Sequence, residues 1–304
     1  MQWKSLSLAL LVSHVSGQTR PPMMRFQCSQ LVVDRLDPLV NPGSIPSPHL
    51  HQIVGGNSFT ASMDPATHDL PSASTCTSCS FSEDFSNYWT AVMYFRARNG
   101  TFRRVPQMPS EGLKGSGGIT VYYIPSTSNE YNVTAFQPGF RMLVGDATAT
   151  APSAARKVCH RCMPKSGDMN NLNCASPDAQ TLPTKFCEGG IRSIITFPTC
   201  WDGKNLDSPD HMSHLAYATG SKATDVGPTG KCPATHPVVI PQVMYEVMWD
   251  VSTFIMSSSL SEFLADSEDV QLLTTLYPQT GMFNDKALWP TDGSQPFVWS
   301  TGDQ

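Results

Sequence analysis

Val238–Asp250 reads VVIPQVMYEVMWD. From Gln242 onward the order suits an extended strand, with Val243, Tyr245, Val247 and Trp249 on one side and Met244, Glu246, Met248 and Asp250 on the other. Two carboxylates then share a face. Pro241 cannot donate to a ladder, so the run breaks there or lies at a sheet edge. Working outward, Tyr88–Phe95 (YWTAVMYF), Gly118–Ile124 (GITVYYI), Gly139–Val144 (GFRMLV) and Ile191–Phe197 (IRSIITF) are short and rich in β-branched and aromatic residues. Clusters of Gly, Pro, Ser and Asn separate them. Ser257–Leu276 is the best helix candidate, with Leu260, Phe263, Leu264 and Leu272 near helical spacing. Residues 145–183 are polar, cysteine-bearing and loop-like. These signals predict a mainly β chain: a single disulfide-stapled β-sandwich or jelly-roll-like domain with long loops and a few short helices.

Composition bounds the function. The chain has 304 residues, 40% hydrophobic and 15% charged, enough to bury a sizeable core. Twenty basic residues stand against 25 acidic ones, net −5, and neither sign forms a block, which argues against nucleic acid as a partner. Past the extreme N-terminus no apolar run approaches the roughly 20 residues of a membrane span. Residues 1–17 read as a signal peptide: Lys4 supplies the charge, Leu6–Val12 the apolar stretch, and Val15, Ser16 and Gly17 a small-residue cleavage region. The expectation is a secreted, extracellular or cell-wall-associated protein with one domain over residues 18–304. Sequons at Asn99 and Asn132 fit a glycoprotein on that route.

The nine cysteines are Cys28, Cys76, Cys79, Cys159, Cys162, Cys174, Cys187, Cys200 and Cys232. In an oxidising compartment they pair, and the odd number leaves one over. Their connectivity stays open. Cys76-Thr-Ser-Cys79 and Cys159-His-Arg-Cys162 have zinc-ribbon spacing, but secretion favours disulfide staples over metal ligands.

Five of the eight histidines fall in three marked contexts: His49-Leu50-His51, Asp210-His211-Met212-Ser213-His214, and Thr235-His236-Pro237. In an extended segment His49 and His51 point to the same side, as an acid/base pair or metal chelate would require. His211 and His214 would meet on one helical turn, with Ser208 as its cap and Pro209 as its first residue. These four are the candidate ligands of a divalent metal. Equally, each imidazole can satisfy buried backbone groups. Carboxylates crowd the same segments: Asp37 before the first pair, Asp202, Asp207 and Asp210 around the second, Glu246 and Asp250 after the third. Opposed carboxyls suit glycoside hydrolysis, and a His–Asp couple suits a general base. Asp202 and Asp210 also sit in ordinary turn sequences.

No nucleophile elbow, phosphate-binding loop or dinucleotide fingerprint occurs, so acyl hydrolase, kinase and dehydrogenase readings fall away. Trp89, Tyr123, Trp201 and Tyr217 are candidate sugar-binding aromatics, although core packing is the commoner use of such side chains.

Four stretches carry a resemblance: RLDPLVNPGSIPSPHLHQIVGGNSF (35–59), CTSCSFSEDFSNYW (76–89), FPTCWDGKNLDSPDHMSHLAY (197–217) and KCPATHPVVIPQVMYEVMWD (231–250). In order and content the chain resembles the fungal secreted family DUF1996 over roughly residues 26–303. Some members carry WSC modules, associated with polysaccharide and cell-wall binding; none is present here. The resemblance implies an extracellular fungal protein with a carbohydrate or cell-wall role, and marks His49, His51, Asp207, Asp210, His211, His214, His236 and Glu246. Two departures stand out: Thr90 replaces the usual proline after Tyr-Trp, and the family's later His-Gly-Asp-Phe-type segment and cysteine do not follow PFVWSTGD. With the odd cysteine count, that predicts a chain shortened at its C-terminus. The readings this leaves are a carbohydrate-active hydrolase, a noncatalytic glycan binder, and a structural cell-surface protein.

Overall fold

A computed structural model describes residues 23–96, 101–110, 112–125, 132–145, 158–165, 174–183, 187–222, 224–254 and 297–299. The strands run, in chain order, β1 (Met24–Cys28), β2 (Val32–Asp34), β3 (His51–Gly55), β4 (Asn87–Ala91) and β5 (Met93–Arg96). Next come β6 (Phe102–Arg104), β7 (Gln107–Met108), β8 (Ile119–Ile124), β9 (Val158–Cys162) and β10 (Ile191–Thr196). The last are β11 (Cys200–Trp201), β12 (Leu215–Ala216), β13 (Val238–Val239), β14 (Gln242–Trp249) and β15 (Phe297–Trp299). One short helix, Leu70–Ala73, and a 3-10 turn at Ser252–Phe254 complete the described elements. The protein is mainly β, and all the strand pairs are antiparallel.

The expected break at Pro241 organises the chain. Before it, β13 pairs with β11 in the small sheet β12-β11-β13; after it, β14 enters the centre of the large sheet, ordered β1-β8-β14-β10-β9 with β7 added on β14. Proline sits where one ladder ends and the next begins, so its missing N–H costs no bond. Every residue of β14 is buried. Val243, Tyr245, Val247 and Trp249 fill the main core, together with Phe26, Val121 and Ile191 of the same sheet and Val54, Tyr88, Met93 and Phe95 of the smaller sheets β2-β3-β4 and β15-β5-β6. Sheet packs on sheet, giving a sandwich-like body in which each buried large side chain contributes about 1.5–3 kcal/mol. Met244 lies in a second cluster on the opposite face with Tyr122, Ile124 and Ile194.

Closeness of strands dictates one glycine. Gly118 has φ +99°, and a Cβ there would lie 2.0 Å from the Cys28 carbonyl oxygen, so only glycine lets β8 start beside β1.

All nine cysteines are described. Cys28–Cys79, Cys159–Cys174, Cys162–Cys187 and Cys200–Cys232 are disulfides, and Cys76 is an exposed free thiol. Each bridge of this kind contributes about 2–5 kcal/mol. Both CxxC pairs are therefore used as staples or left free, not as zinc ligands. Among the described residues no helix is long and apolar enough to cross a membrane.

Three local expectations need correction. Gly139–Val144 is not a strand: Arg141 and Leu143 donate their N–H groups to the Leu206 and His211 carbonyls, loop groups that form no ladder. Tyr88–Phe95 is two strands, β4 and β5, on different sheets with Val92 between them. Asp250 does not share a strand face with Glu246; it lies past the end of β14 and accepts the Ser252 N–H at 3.1 Å. The Ser257–Leu276 helix, the 1–17 leader and the Asn99 sequon fall outside the described residues, while Asn132 is exposed.

Candidate functional site

The loop from Asp202 to His214 connects β11 to β12, whose pairing brings its two ends together. Its sequence, DGKNLDSPDHMSH, is dense in side chains that bond their own backbone. Asp202 accepts the N–H groups of Lys204 and Asn205 at 2.8 and 2.9 Å, and Asp210 accepts those of Met212 and Ser213 at 3.1 and 2.8 Å. The Ser213 N–H, the Ser208 hydroxyl and the Met212 N–H hold the Asp210 carboxyl well below the usual carboxylate range. Asp210 is an ionised turn-former.

The helical turn expected at Ser208 and Pro209 is absent. His211 donates its N–H to the Ser208 carbonyl at 2.8 Å, closing a tight turn, and then takes φ 56°, the left-handed region. A helix cannot continue through such a residue. The two imidazoles consequently point apart. His214 is buried; its Nε2 donates to the Arg141 carbonyl at 2.8 Å and its Nδ1 lies 2.8 Å from the Ser208 hydroxyl. Both of its ring nitrogens are committed to structure.

His211 turns outward to Asp207. Its Nδ1 donates to Asp207 Oδ1 at 2.7 Å, with side-chain exposures of 20% and 27%. Asp207 Oδ1 also accepts the Ser208 N–H at 2.8 Å, which fixes the carboxylate. Since a carboxylate only accepts, Nδ1 carries the hydrogen and Nε2 keeps its lone pair in the neutral ring. Nε2 has no hydrogen-bond partner among the described residues. Asp207 thus holds a histidine in the tautomer and orientation of a general base.

His236 joins this loop from the segment anchored by Cys200–Cys232. Its Nε2 donates to the Ser213 carbonyl at 3.0 Å, and the Thr235 hydroxyl donates to its Nδ1 at 2.9 Å. Arg141, which the sequence placed in a strand, lies alongside: its backbone is bonded to Leu206 and His214, and the charges of Asp207 and Asp64 act on its guanidinium. Nothing local in GFRMLV signals that role. Leu206 and Met212, both exposed, flank Asp207 and His211 in sequence.

The other candidates are placed elsewhere. His49 and His51 do come together, ring centroids 6.2 Å apart, and His51 Nδ1 donates to the Leu36 carbonyl at 2.9 Å. Burial lowers the His51 pKa despite that bond and the opposing charge of Asp37. His51 opens β3 and His49 lies just before it, in the sheet β2-β3-β4, whereas the 202–214 loop belongs to the sheet β12-β11-β13. Glu246 is buried on the large sheet, where its Oε2 accepts the Tyr122 hydroxyl at 2.7 Å and its Oε1 has no partner among the described residues. Tyr122 in turn accepts from Arg25 Nε at 2.8 Å.

The aromatics are mostly interior. Trp201 is 8% exposed, donates to the Asn205 carbonyl at 2.7 Å and packs edge-on against Phe140. Tyr123 shares a 2.7 Å hydroxyl contact with Tyr88, and burial pushes its pKa up to about 12. Tyr217 is half-buried and donates to the Thr196 carbonyl at 2.6 Å; Trp89 is half-buried against Phe59. Among the described residues no three His, Cys, Asp or Glu side chains converge to hold a metal ion, so the four histidines proposed as ligands form no common set there.

Comparison with known proteins gives one match. No curated protein and no solved structure is similar. The family described as "Domain of unknown function (DUF1996)" matches residues 37–271, which include the whole 202–214 loop, the His49–His51 pair and β14. The match covers well over half of the chain, which therefore belongs to the DUF1996 family.

Proposed function

We propose that this chain is a secreted fungal protein that acts on cell-wall or plant polysaccharide, as a carbohydrate-active enzyme with His211 as its base and Asp207 as the residue that orients it. The observation that carries the reading is the 2.7 Å Asp207–His211 contact, which leaves Nε2 without a partner among the described residues, on a partly exposed ring at a left-handed φ. A strained backbone that presents a titratable side chain is a feature of functional positions. In this reading Nε2 takes a proton from the reacting group and Asp207 stabilises the imidazolium. Extracellular placement is supported by the leader-like residues 1–17 and by four disulfides, and the carbohydrate role by the family resemblance.

The competing reading, a noncatalytic glycan binder, leans on aromatics, and Trp201 and Tyr123 are occupied inside the fold. Reducing-end release from a panel of fungal and plant wall glycans separates the two. The native protein should release ends, and His211→Ala should lower the rate by about 10²–10⁴. Sedimentation with insoluble glycan, without turnover, would favour the binder.

A further inference from the structure

We propose that the loop cleaves uronate-bearing polysaccharide by β-elimination, with His211 Nε2 as the base and Arg141 as the group that binds and neutralises the uronate carboxylate. The proposal rests on the reading of His211 as a base and names the reaction that the base performs.

Arg141 is the second observation at this site. Two backbone hydrogen bonds and one from a side chain zip its segment to the loop: Arg141 N–H to the Leu206 carbonyl at 3.0 Å, Leu143 N–H to the His211 carbonyl at 3.0 Å, and the His214 imidazole Nε2 to the Arg141 carbonyl at 2.8 Å. The backbone from which the guanidinium projects is therefore fixed against the loop that carries His211. The side chain is half-buried, yet it makes no hydrogen bond or ion pair with any described residue. Burial disfavours its charge, while Asp207 and Asp64 support that charge from beyond ion-pair distance. A guanidinium so held, its donors unused among the described residues, matches the two oxygens of a carboxylate.

Reaction chemistry then discriminates. Hydrolysis of a glycosidic bond asks for a proton donor at the leaving oxygen as well as a base or nucleophile. In this loop Asp210 is locked as an anion by three hydrogen-bonding groups, and Asp207 is committed to His211 and Ser208. Elimination asks instead for a base and a group that neutralises the carboxylate, both of which the site offers. The proton on the carbon bearing the carboxylate passes to Nε2. The C–H electron pair becomes a carbon–carbon double bond to the next ring carbon. That carbon's bond to the glycosidic oxygen breaks, the pair leaves with oxygen, and the imidazolium or solvent returns a proton to it. Nothing is oxidised or reduced, and no water is consumed.

The test uses the full secreted chain with polygalacturonate, glucuronan and alginate, and with laminarin as the neutral control. Reducing ends and the ultraviolet absorbance of an unsaturated uronate are read together. Both signals should rise on at least one uronate polymer and neither on laminarin. Arg141→Gln, with its fold checked by circular dichroism, should lower kcat/KM by about 10²-fold, the effect of removing one charge-stabilising donor. If that variant does not fold, Arg141→Lys keeps the charge without the fork and should raise KM or lower kcat. Reducing ends without the ultraviolet product would overturn elimination while leaving His211 as a hydrolytic base. An unchanged rate in a folded Arg141 variant would overturn the carboxylate role. Silence on every polymer sinks both this proposal and the catalytic reading beneath it.

Discussion

His214 Nε2 donates to the Arg141 carbonyl across 73 residues of sequence, and this 2.8 Å bond ties the segment after Gly139 to the loop that presents His211. The imidazole is 1% exposed and packs against Phe140, ring centroids 5.6 Å apart. His214→Ala should therefore cost about 2–4 kcal/mol, from the lost packing and an orphaned carbonyl. Urea unfolding measures it; a loss below half a kcal/mol would show that the brace carries little.

His211 should behave in the opposite way. It is partly exposed and sits at φ 56°, a conformation that costs a side chain about 1 kcal/mol and glycine almost nothing. His211→Gly is expected to hold or raise the melting temperature while abolishing turnover. A variant that loses stability as well would place His211 among the structural histidines.

On the large sheet, Tyr122→Phe removes the only partner of the Glu246 carboxylate among the described residues. A buried group left without its donor costs about 1–3 kcal/mol. Tyr122→Phe combined with Glu246→Leu should recover part of that loss, because both polar ends are then gone. Strict additivity of the two variants in denaturant melts would contradict the coupling.

Acid should weaken the fold. His160 is buried with Nδ1 2.9 Å from the Ser193 hydroxyl, and burial lowers its pKa from 6.5 to about 4. Between those values the unfolded chain binds a proton that the folded chain does not, so stability falls as pH drops from about 6.5 to 4 and changes no further from this residue below that. The whole effect is on the order of 3 kcal/mol. His51, also lowered by burial, acts in the same direction. Chemical denaturation of His160→Gln across that range should show a flatter profile than the native protein; identical profiles would remove His160 as the cause.

A chromogenic disulfide reagent should find one thiol per native chain, Cys76, and Cys76→Ser should find none. Any larger number without denaturant would mean that one of the four bridges is open.

Much of the fold was legible in the residue order because it depends on neighbours in sequence. Alternation in Val243–Trp249 identified a strand and sorted its side chains onto two faces, Pro241 marked the end of one ladder, and the odd cysteine count left one thiol over. Each is a short-range consequence of side-chain direction, a missing N–H, or pairing arithmetic. Asp207 and His211, four apart, were also within reach of a local reading, although the left-handed turn that joins them was not. Tertiary structure alone decided that His214 faces inward, that Trp201 is core, that Gly139–Val144 is a connection, and that Arg141 is tied to the loop that carries His211. The physical reason is distance along the chain. The Arg141 carbonyl is 73 residues from His214 and the Tyr122 hydroxyl 124 from Glu246, so the burial and hydrogen bonding that assign these side chains exist only once the sheets have packed.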